Sequence, residues 1–161
     1  MANLIETEAA LDEELTSPRP VLVDAIRELR SPLVILGAGG KMGPSLAVLA
    51  RRAAEEAGHE LEVIAVSRFS DPAKEEWLRN RGVKTVAADL LDRNSVRGLP
   101  DAGEVLYLVG LKFGTEANPS LTWAINTVAP LHVLERYAGR RVVALSTGNV
   151  YPLSRIEQGG S

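Results

Sequence analysis

Three glycines at regular spacing, Gly37, Gly40 and Gly43, follow a short apolar run and precede a segment with helical periodicity. Glycine allows a sharp turn and puts no side chain between the backbone amides and a ligand. Because unpaired amides and the dipole at a helix start attract anions, the spacing G-x-x-G-x-x-G predicts a turn that holds a diphosphate on the amides of residues 40–42. Gly39 does not fit this spacing. A tight strand-to-helix turn without a ligand is the alternative interpretation.

The end of the second predicted strand, residues 61–68, indicates whether the adenosine ribose of the ligand carries a 2′-hydroxyl or a 2′-phosphate. A site for NAD carries an acidic residue about 20 positions beyond the glycines, which binds the ribose 2′-hydroxyl. That position holds Ser67, and Arg68 follows it. Since a guanidinium pairs with phosphate oxygens, and Lys41 adds charge from the glycine turn, the sequence predicts a preference for NADP over NAD. In the alternative, Arg68 lies over the adenine ring and Asp71 reaches the ribose.

Two later strand ends complete the predicted cofactor site. Asp89 and Leu90 follow the third strand, where the carboxylate could accept a hydrogen bond from the adenine amino group and the leucine could lie against the ring. Capping of the next turn is the alternative use of this carboxylate. Val109 and Gly110 end the fourth strand, and glycine at the carboxyl end of a parallel strand again allows a ligand to come close.

The elements that position these residues alternate along the chain. Apolar runs predict five strands, over residues 33–36, 61–68, 83–88, 104–110 and 141–146. Helical segments separate them, and the last of these begins at Asn118 and is broken or kinked by Pro130. Since right-handed crossovers place helices on both faces of such a sheet, the sequence predicts an α/β fold. We expect a doubly wound, Rossmann-type parallel sheet of strand order 3-2-1-4-5.

Composition restricts the function classes. The chain has 161 residues, 45% hydrophobic and 24% charged, which favours one domain with a substantial core. A formal charge of −3 and an aromatic share of 4% argue against a nucleic-acid partner, and the apolar runs are too short to span a membrane. The absence of cysteine excludes thiolate metal sites, and His59 and His132 occupy helix-end or surface positions, so we predict no metal site. The acidic residues 1–14 lack the features of a signal peptide, and we expect a cytoplasmic location.

Residues 1–30 precede the first strand and predict a helical extension. Leu11 and Leu15 suggest a partly amphipathic first helix, and Ser17 with two nearby prolines starts a second one that runs to Arg30. The pair could pack on the sheet or cover its edge. Alternatively, it could form a dimer contact or a partner arm.

Further landmarks give the chain a resemblance to a known family. The landmarks are Gly37-x-x-Gly40-x-x-Gly43, Asp89-Leu90, Leu106-Tyr107-Leu108-Val109-Gly110, Asn126 to Leu131, and Ser146-Thr147-Gly148-Asn149-Val150-Tyr151. In this order and spacing they resemble the NAD-dependent epimerase/dehydratase family, the extended short-chain dehydrogenases/reductases. The resemblance implies that the glycines hold the diphosphate and that Asp89 touches adenine. With the residues selected above, the predicted cofactor site is formed by Gly37, Gly40, Lys41, Met42, Gly43, Ser67, Arg68, Asp89, Leu90, Val109 and Gly110. The resemblance also implies a catalytic role for Thr147, beside a tyrosine that donates a proton.

The proton donor that the resemblance implies, a Tyr-x-x-x-Lys pair, is missing from the sequence. Tyr107, Tyr137 and Tyr151 are followed four places on by leucine or arginine. We therefore interpret residues 31–151 as the NAD(P)-binding part of an epimerase/dehydratase-like oxidoreductase, truncated before that pair and inactive by itself. The parent protein would act on a nucleotide sugar or a similar hydroxyl substrate. The alternative is a non-catalytic NAD(P)-binding or sensing module.

Both ends of the chain carry further expectations. We expect the polar tail, residues 152–161, to be poorly ordered. The outer edge of the fifth strand should expose apolar surface, which a homodimer or the helices of residues 1–30 would cover.

Overall fold

The central strand of the fold, β1 (Leu33–Leu36), is buried along its whole length. The computed structural model describes residues 5–111 and 116–146, so Thr147, Tyr151 and the predicted tail lie outside the described residues. The elements, in chain order, are α1 (Glu8–Thr16), α2 (Pro20–Ile26), β1, α3 (Gly43–Ala57), β2 (Val63–Ser67), α4 (Pro72–Arg79), β3 (Lys84–Ala87), α5 (Arg93–Arg97), β4 (Glu104–Tyr107), α6 (Pro119–Trp123), a π-helical turn (Ala124–Val128), α7 (Ala129–Arg136) and β5 (Arg141–Ala144).

The five strands form one parallel sheet of order β3-β2-β1-β4-β5, which confirms the predicted fold class and strand order. Leu36, the last residue of β1, lies opposite Val66 on one side and Tyr107 on the other. The strands β1, β2 and β4 therefore end close together at one edge of the sheet. The segments that carry most of the predicted site residues leave the sheet at this edge.

The alternation of side chains along β1 divides the apolar core into two clusters. Leu33 and Ile35 belong to the cluster under α3, whereas Val34 and Leu36 belong to the cluster that includes Val133 of α7. Because both faces of the sheet carry helices, β1 is apolar at every position instead of at alternate ones.

The N-terminal helices α1 and α2 pack on α3. Arg52 of α3 donates hydrogen bonds to the hydroxyl oxygen of Thr16, at 2.8 Å, and to the carboxylate of Glu13, at 2.6 Å. Ile26 is 2% exposed and joins the cluster under α3. The second helix ends at Ile26, four residues earlier than predicted. The suggestion that these helices cover β5 is wrong, since they pack against α3.

The segment from α6 to α7 changes its helical geometry before Pro130. Proline has no amide hydrogen, and in a regular α-helix its ring collides with the carbonyl four residues earlier. A π-helical turn occupies Ala124–Val128, and Pro130 lies in the first turn of α7. A π turn is wider than an α turn and leaves room for the proline ring. The predicted break at Pro130 is confirmed, and this turn is its structural form.

The surface formed by α7, β5 and the residues directly after β5 exposes apolar side chains. Val143 and Leu145 are 44% and 53% exposed, and Leu131 and Leu134 of α7 are 55% and 57% exposed. The predicted exposure of apolar surface near β5 is thus confirmed. Among the described helices, none combines the length and the apolar character that a membrane span requires.

Candidate functional site

The turn after β1 needs glycine at both of its ends. Gly37 has a φ of +86°, and a Cβ atom there would lie 2.8 Å from the Cγ2 atom of Val109. A Cβ atom at Gly43 would lie 2.5 Å from the Cα and carbonyl oxygen atoms of Ala38, which are backbone and cannot move aside. These two glycines are therefore required for the strand-turn-helix unit itself, whether or not a ligand binds.

Gly40 serves a different purpose from its two neighbours in the pattern. A Cβ atom there would meet Gly37 O at 3.2 Å and no other heavy atom within 4 Å, and the residue is exposed. The Gly40 amide donates to Gly37 O at 3.0 Å and so closes the turn. The prediction that this amide faces a diphosphate is therefore wrong. The contribution of Gly40 is the open space above the turn that a side chain would fill.

The amides that follow Gly40 have free hydrogens. Within the described residues, the structure shows no acceptor for the amides of Gly39, Lys41, Met42 or Gly43. Lys41 and Met42 are exposed, and α3 begins directly after them. Unpaired amides beside an open space at the start of a 15-residue helix have the geometry that binds an anion. The residues present thus fit a diphosphate, with Lys41 and Met42 supplying amides.

Gly39, which the spacing rule excludes, links the turn to the end of β2. A Cβ atom at Gly39 would lie 2.5 Å from the hydroxyl oxygen of Ser67. The Gly39 carbonyl accepts a hydrogen bond from the ammonium of Lys74 at 3.3 Å. Sequence reasoning missed both contacts. The fourth glycine in the turn was a visible signal, but a one-dimensional pattern does not show which strand the turn touches.

The loop after β2 holds Arg68 on the surface, beside the partly buried Ser67. Phe69 follows with a φ of +46°, a backbone conformation that non-glycine residues rarely adopt. Asp71 is the N-cap of α4, and its carboxylate accepts from the Ala73 amide at 3.1 Å. This cap provides a structural use for Asp71, which the alternative interpretation placed against the ribose.

The carboxylate of Asp89, after β3, accepts from the amide of Leu91 at 2.9 Å and so forms its own turn. Asp92 caps the next helix, α5. The Asp92 carboxylate accepts hydrogen bonds from the Ser95 hydroxyl and from two backbone amides, and these bonds lower its pKa. Leu90 is 8% exposed and belongs to the core. Leu90 therefore packs inward, and Asp89 is the more exposed of the two predicted adenine contacts.

The fourth strand ends beside the glycine turn. Val109 packs against Gly37, as the close approach of its methyl group shows, and Gly110 is exposed. The side chain of Asn126, in the π-helical turn, accepts from the amide of Leu111 and donates to the carbonyl of the same residue, both at 3.0 Å. This pair of bonds holds the start of the loop after β4.

Positive charge surrounds the glycine turn. Within the described ranges, no ion pair includes Lys41, Arg68 or Lys74. Asp71 contributes one nearby negative charge. Groups of three or more metal-ligating side chains are absent from the described part of the chain. The site therefore has the electrostatics of an anion site.

A parallel sheet of order 3-2-1-4-5, with a glycine turn and a helix start at the end of its first strand, defines a Rossmann-type nucleotide-binding domain. Residues 33–159 match the family model of the NAD dependent epimerase/dehydratase family. The chain belongs to this family, whose members bind a nicotinamide dinucleotide.

Several solved structures share the fold. ADP-L-glycero-D-manno-heptose-6-epimerase from Helicobacter pylori is 20% identical, with a TM-score of 0.65 over 81% of this chain and 42% of that one. WbmF from Bordetella bronchiseptica, solved with NAD+ and UDP, is 16% identical, with a TM-score of 0.57 over 74% of this chain and 36% of that one. Pen from Bacillus thuringiensis is 19% identical, with a TM-score of 0.54 over 66% and 33%.

The chain thus spans between 33% and 42% of the length of these three proteins. No curated protein sequence matches the chain. The similarity extends over the Rossmann part, and residues 1–32 lie before the family match.

Proposed function

We propose that this chain binds a nicotinamide dinucleotide across the carboxyl ends of β1 and β4. The observation that carries the proposal is the open space at Gly40, next to amides of Lys41 and Met42 that have no acceptor in the described residues. A diphosphate placed there would accept from those amides and lie near the start of α3. Gly37 and Gly43 would serve by forming the turn, and Val109 and Gly110 would border the nicotinamide half.

We further propose that NADP is preferred over NAD. Ser67 stands where an acidic residue would bind a 2′-hydroxyl and repel a 2′-phosphate. Arg68 is exposed beside it and has no ion-pair partner in the described ranges. Asp89 would contact the adenine. Because a guanidinium makes a charge-assisted contact with a phosphate but gains less from a hydroxyl, this strand end favours the phosphorylated ribose.

At the level of the whole protein, we propose an epimerase/dehydratase-like oxidoreductase acting on a nucleotide sugar or a similar hydroxyl substrate. Hydride transfer at an alcohol carbon requires a positioned acid or base for the oxygen's proton. The sequence contains no Tyr-x-x-x-Lys pair, and Thr147 alone does not replace one. The chain by itself would thus bind the cofactor without turning over a substrate.

A cofactor-binding module without catalysis is the second candidate. The lack of a Tyr-x-x-x-Lys pair in the sequence favours it, because hydride transfer at an alcohol carbon requires a positioned acid or base. The two candidates share the cofactor site and differ in whether this polypeptide ever supports hydride transfer.

The test is calorimetric titration of NADH and NADPH into wild-type protein and into Gly40→Val. The valine side chain would fill the space above the turn, so we expect binding to be lost. Gly98→Val is the matched control, because a Cβ atom at Gly98 has only ordinary contacts of 3.6 Å, at the end of α5 and away from the turn. Circular dichroism should show all three proteins folded. Failure of the folded wild type to bind either cofactor at millimolar concentration would contradict the proposal.

A further inference from the structure

Lys74, in the first turn of α4, reaches back to the glycine turn. Its ammonium donates a hydrogen bond to Gly39 O at 3.3 Å, across 35 positions of sequence. The same Gly39 contacts the hydroxyl of Ser67, as the 2.5 Å approach of a Cβ atom there shows. Gly39 therefore brings the Lys74 ammonium to the end of β2, where Arg68 also lies.

The position of Lys74 is unfavourable for the helix that carries it. A cation in the first turn faces the positive end of the helix dipole, which is electrostatically unfavourable. No carboxylate in the described ranges pairs with Lys74, whereas Arg79, in the last turn of the same helix, pairs with Glu75 at 2.5 Å. The Asp71 carboxylate, which is nearby, accepts from the Ala73 amide as the helix cap. The Lys74 ammonium thus lies close to the glycine turn, and no carboxylate of the described ranges forms an ion pair with it.

We infer that Lys74 is a specificity-determining residue that binds the 2′-phosphate of the adenosine ribose together with Arg68. The inference rests on the proposed dinucleotide site, and it adds a residue that the sequence analysis did not select. Two cations on different elements, one after β2 and one on α4, would hold a phosphate dianion between them. The exposed hydrogen bond to Gly39 O is weak enough for the ammonium to turn towards the phosphate.

Another role for Lys74 is purely structural, with the hydrogen bond to Gly39 O stabilising the glycine turn. The two roles differ in a measurable way. Loss of a turn contact would weaken every dinucleotide alike, because the diphosphate is common to NADH and NADPH. Loss of a phosphate contact would weaken only the ligands that carry the 2′-phosphate.

The experiment measures the dissociation constants of NADPH, NADH, adenosine 2′,5′-bisphosphate and AMP for wild type, Lys74→Gln, Lys74→Arg and Lys84→Gln. Lys84 is an exposed lysine at the amino end of β3, so its variant controls for the loss of one positive charge. We expect Lys74→Gln to weaken NADPH and the bisphosphate by about tenfold, the change that one charge-assisted contact produces. The affinities for NADH and AMP should change by less than about twofold. Lys74→Arg should retain the affinity for NADPH.

Four outcomes would overturn the inference. Equal losses for NADPH and NADH would assign Lys74 to the turn. An unchanged affinity for NADPH in Lys74→Gln would remove Lys74 from the phosphate site. Wild-type protein that binds NADH at least as tightly as NADPH would refute the inference while the dinucleotide site stands, and protein that binds neither would refute both proposals.

Discussion

Two buried tyrosines that differ in one hydrogen bond allow a quantitative test of the core. Tyr107, at the end of β4, is 7% exposed, and its hydroxyl has no hydrogen-bond partner among the described residues. Tyr137, after α7, is 2% exposed, and its hydroxyl donates to Pro100 O at 3.0 Å. Both tyrosines belong to the same apolar cluster. Replacement of each by phenylalanine removes a single oxygen from a similar environment.

The expected changes have opposite signs. A buried hydroxyl without a partner costs about 1–3 kcal/mol, so Tyr107→Phe should raise the free energy of unfolding by about 1 kcal/mol or more. Tyr137→Phe should lower it by about 0.5–1.5 kcal/mol, the net value of a hydrogen bond. In a domain of this size, 1 kcal/mol corresponds to a shift in Tm of about 2–4 °C. Urea denaturation and thermal melting at pH 7 measure both changes.

Alkaline pH gives the same pair a second readout. Burial raises the pKa of Tyr107 and of Tyr137 from 10.0 to about 12. Because the folded state holds these protons more tightly than the unfolded state, their contribution to stability is complete below pH 10 and is lost as the pH rises towards 12. Each tyrosine should account for about 2–3 kcal/mol of this loss. Each phenylalanine variant should therefore lose less stability above pH 10 than the wild type.

One result would refute the reasoning about Tyr107. If Tyr107→Phe lowers the free energy of unfolding by as much as Tyr137→Phe does, the Tyr107 hydroxyl has a hydrogen-bond partner, such as a buried water. The pH 7 measurement decides this point without the alkaline series, because ionisation plays no part there.

Two further predictions concern the candidate site. Arg68→Ala should weaken NADPH by about tenfold or more and leave NADH nearly unchanged, since one charge-assisted contact is worth about 1.5–3 kcal/mol; equal losses in a titration would show that Arg68 stacks on adenine instead. The chain should show no cofactor-dependent turnover of nucleotide sugars or simple alcohols at the nicotinamide absorbance. Turnover that survives purification and is lost in Thr147→Ala would make this polypeptide an enzyme.

The fold was predictable because its three central strands, β1, β2 and β4, are largely buried on both faces. Four consecutive apolar residues in β1, followed by glycines and then a helix, can be recognised without knowledge of tertiary contacts. The face of the last helix was not predictable in the same way. Leu121, Val128, Leu131 and Leu134 form its apolar pattern in the sequence, yet all four are exposed. The π turn adds a residue to the helix and so rotates the residues after it, including Leu131 and Leu134, by about 100° relative to an uninterrupted pattern.

The candidate site was predictable only where local sequence determines it. The need for glycine at Gly37 and Gly43 follows from the turn. The contact of Gly39 with Ser67 and the reach of Lys74 to Gly39 depend on which loops meet at the edge of the sheet. Such contacts join residues 28 to 35 positions apart, and no periodicity or motif encodes them. The role of Asp71 as a helix cap was visible in the sequence as Asp-Pro before a helix, but it competed with a functional interpretation.

The two halves of the proposed cofactor site lie on parts of the sheet that are covered by other elements to different extents. The adenosine half lies at the ends of β1 and β2, whose neighbouring helix α3 is itself covered by α1 and α2. The nicotinamide half lies towards β4 and β5, where Val143 and Leu145 are 44% and 53% exposed. A site whose groups are already fixed loses less conformational freedom on binding. The adenosine half should therefore contribute most of the affinity in this chain. The residues proposed to bind the 2′-phosphate and the diphosphate should then be the ones whose replacement affects binding most.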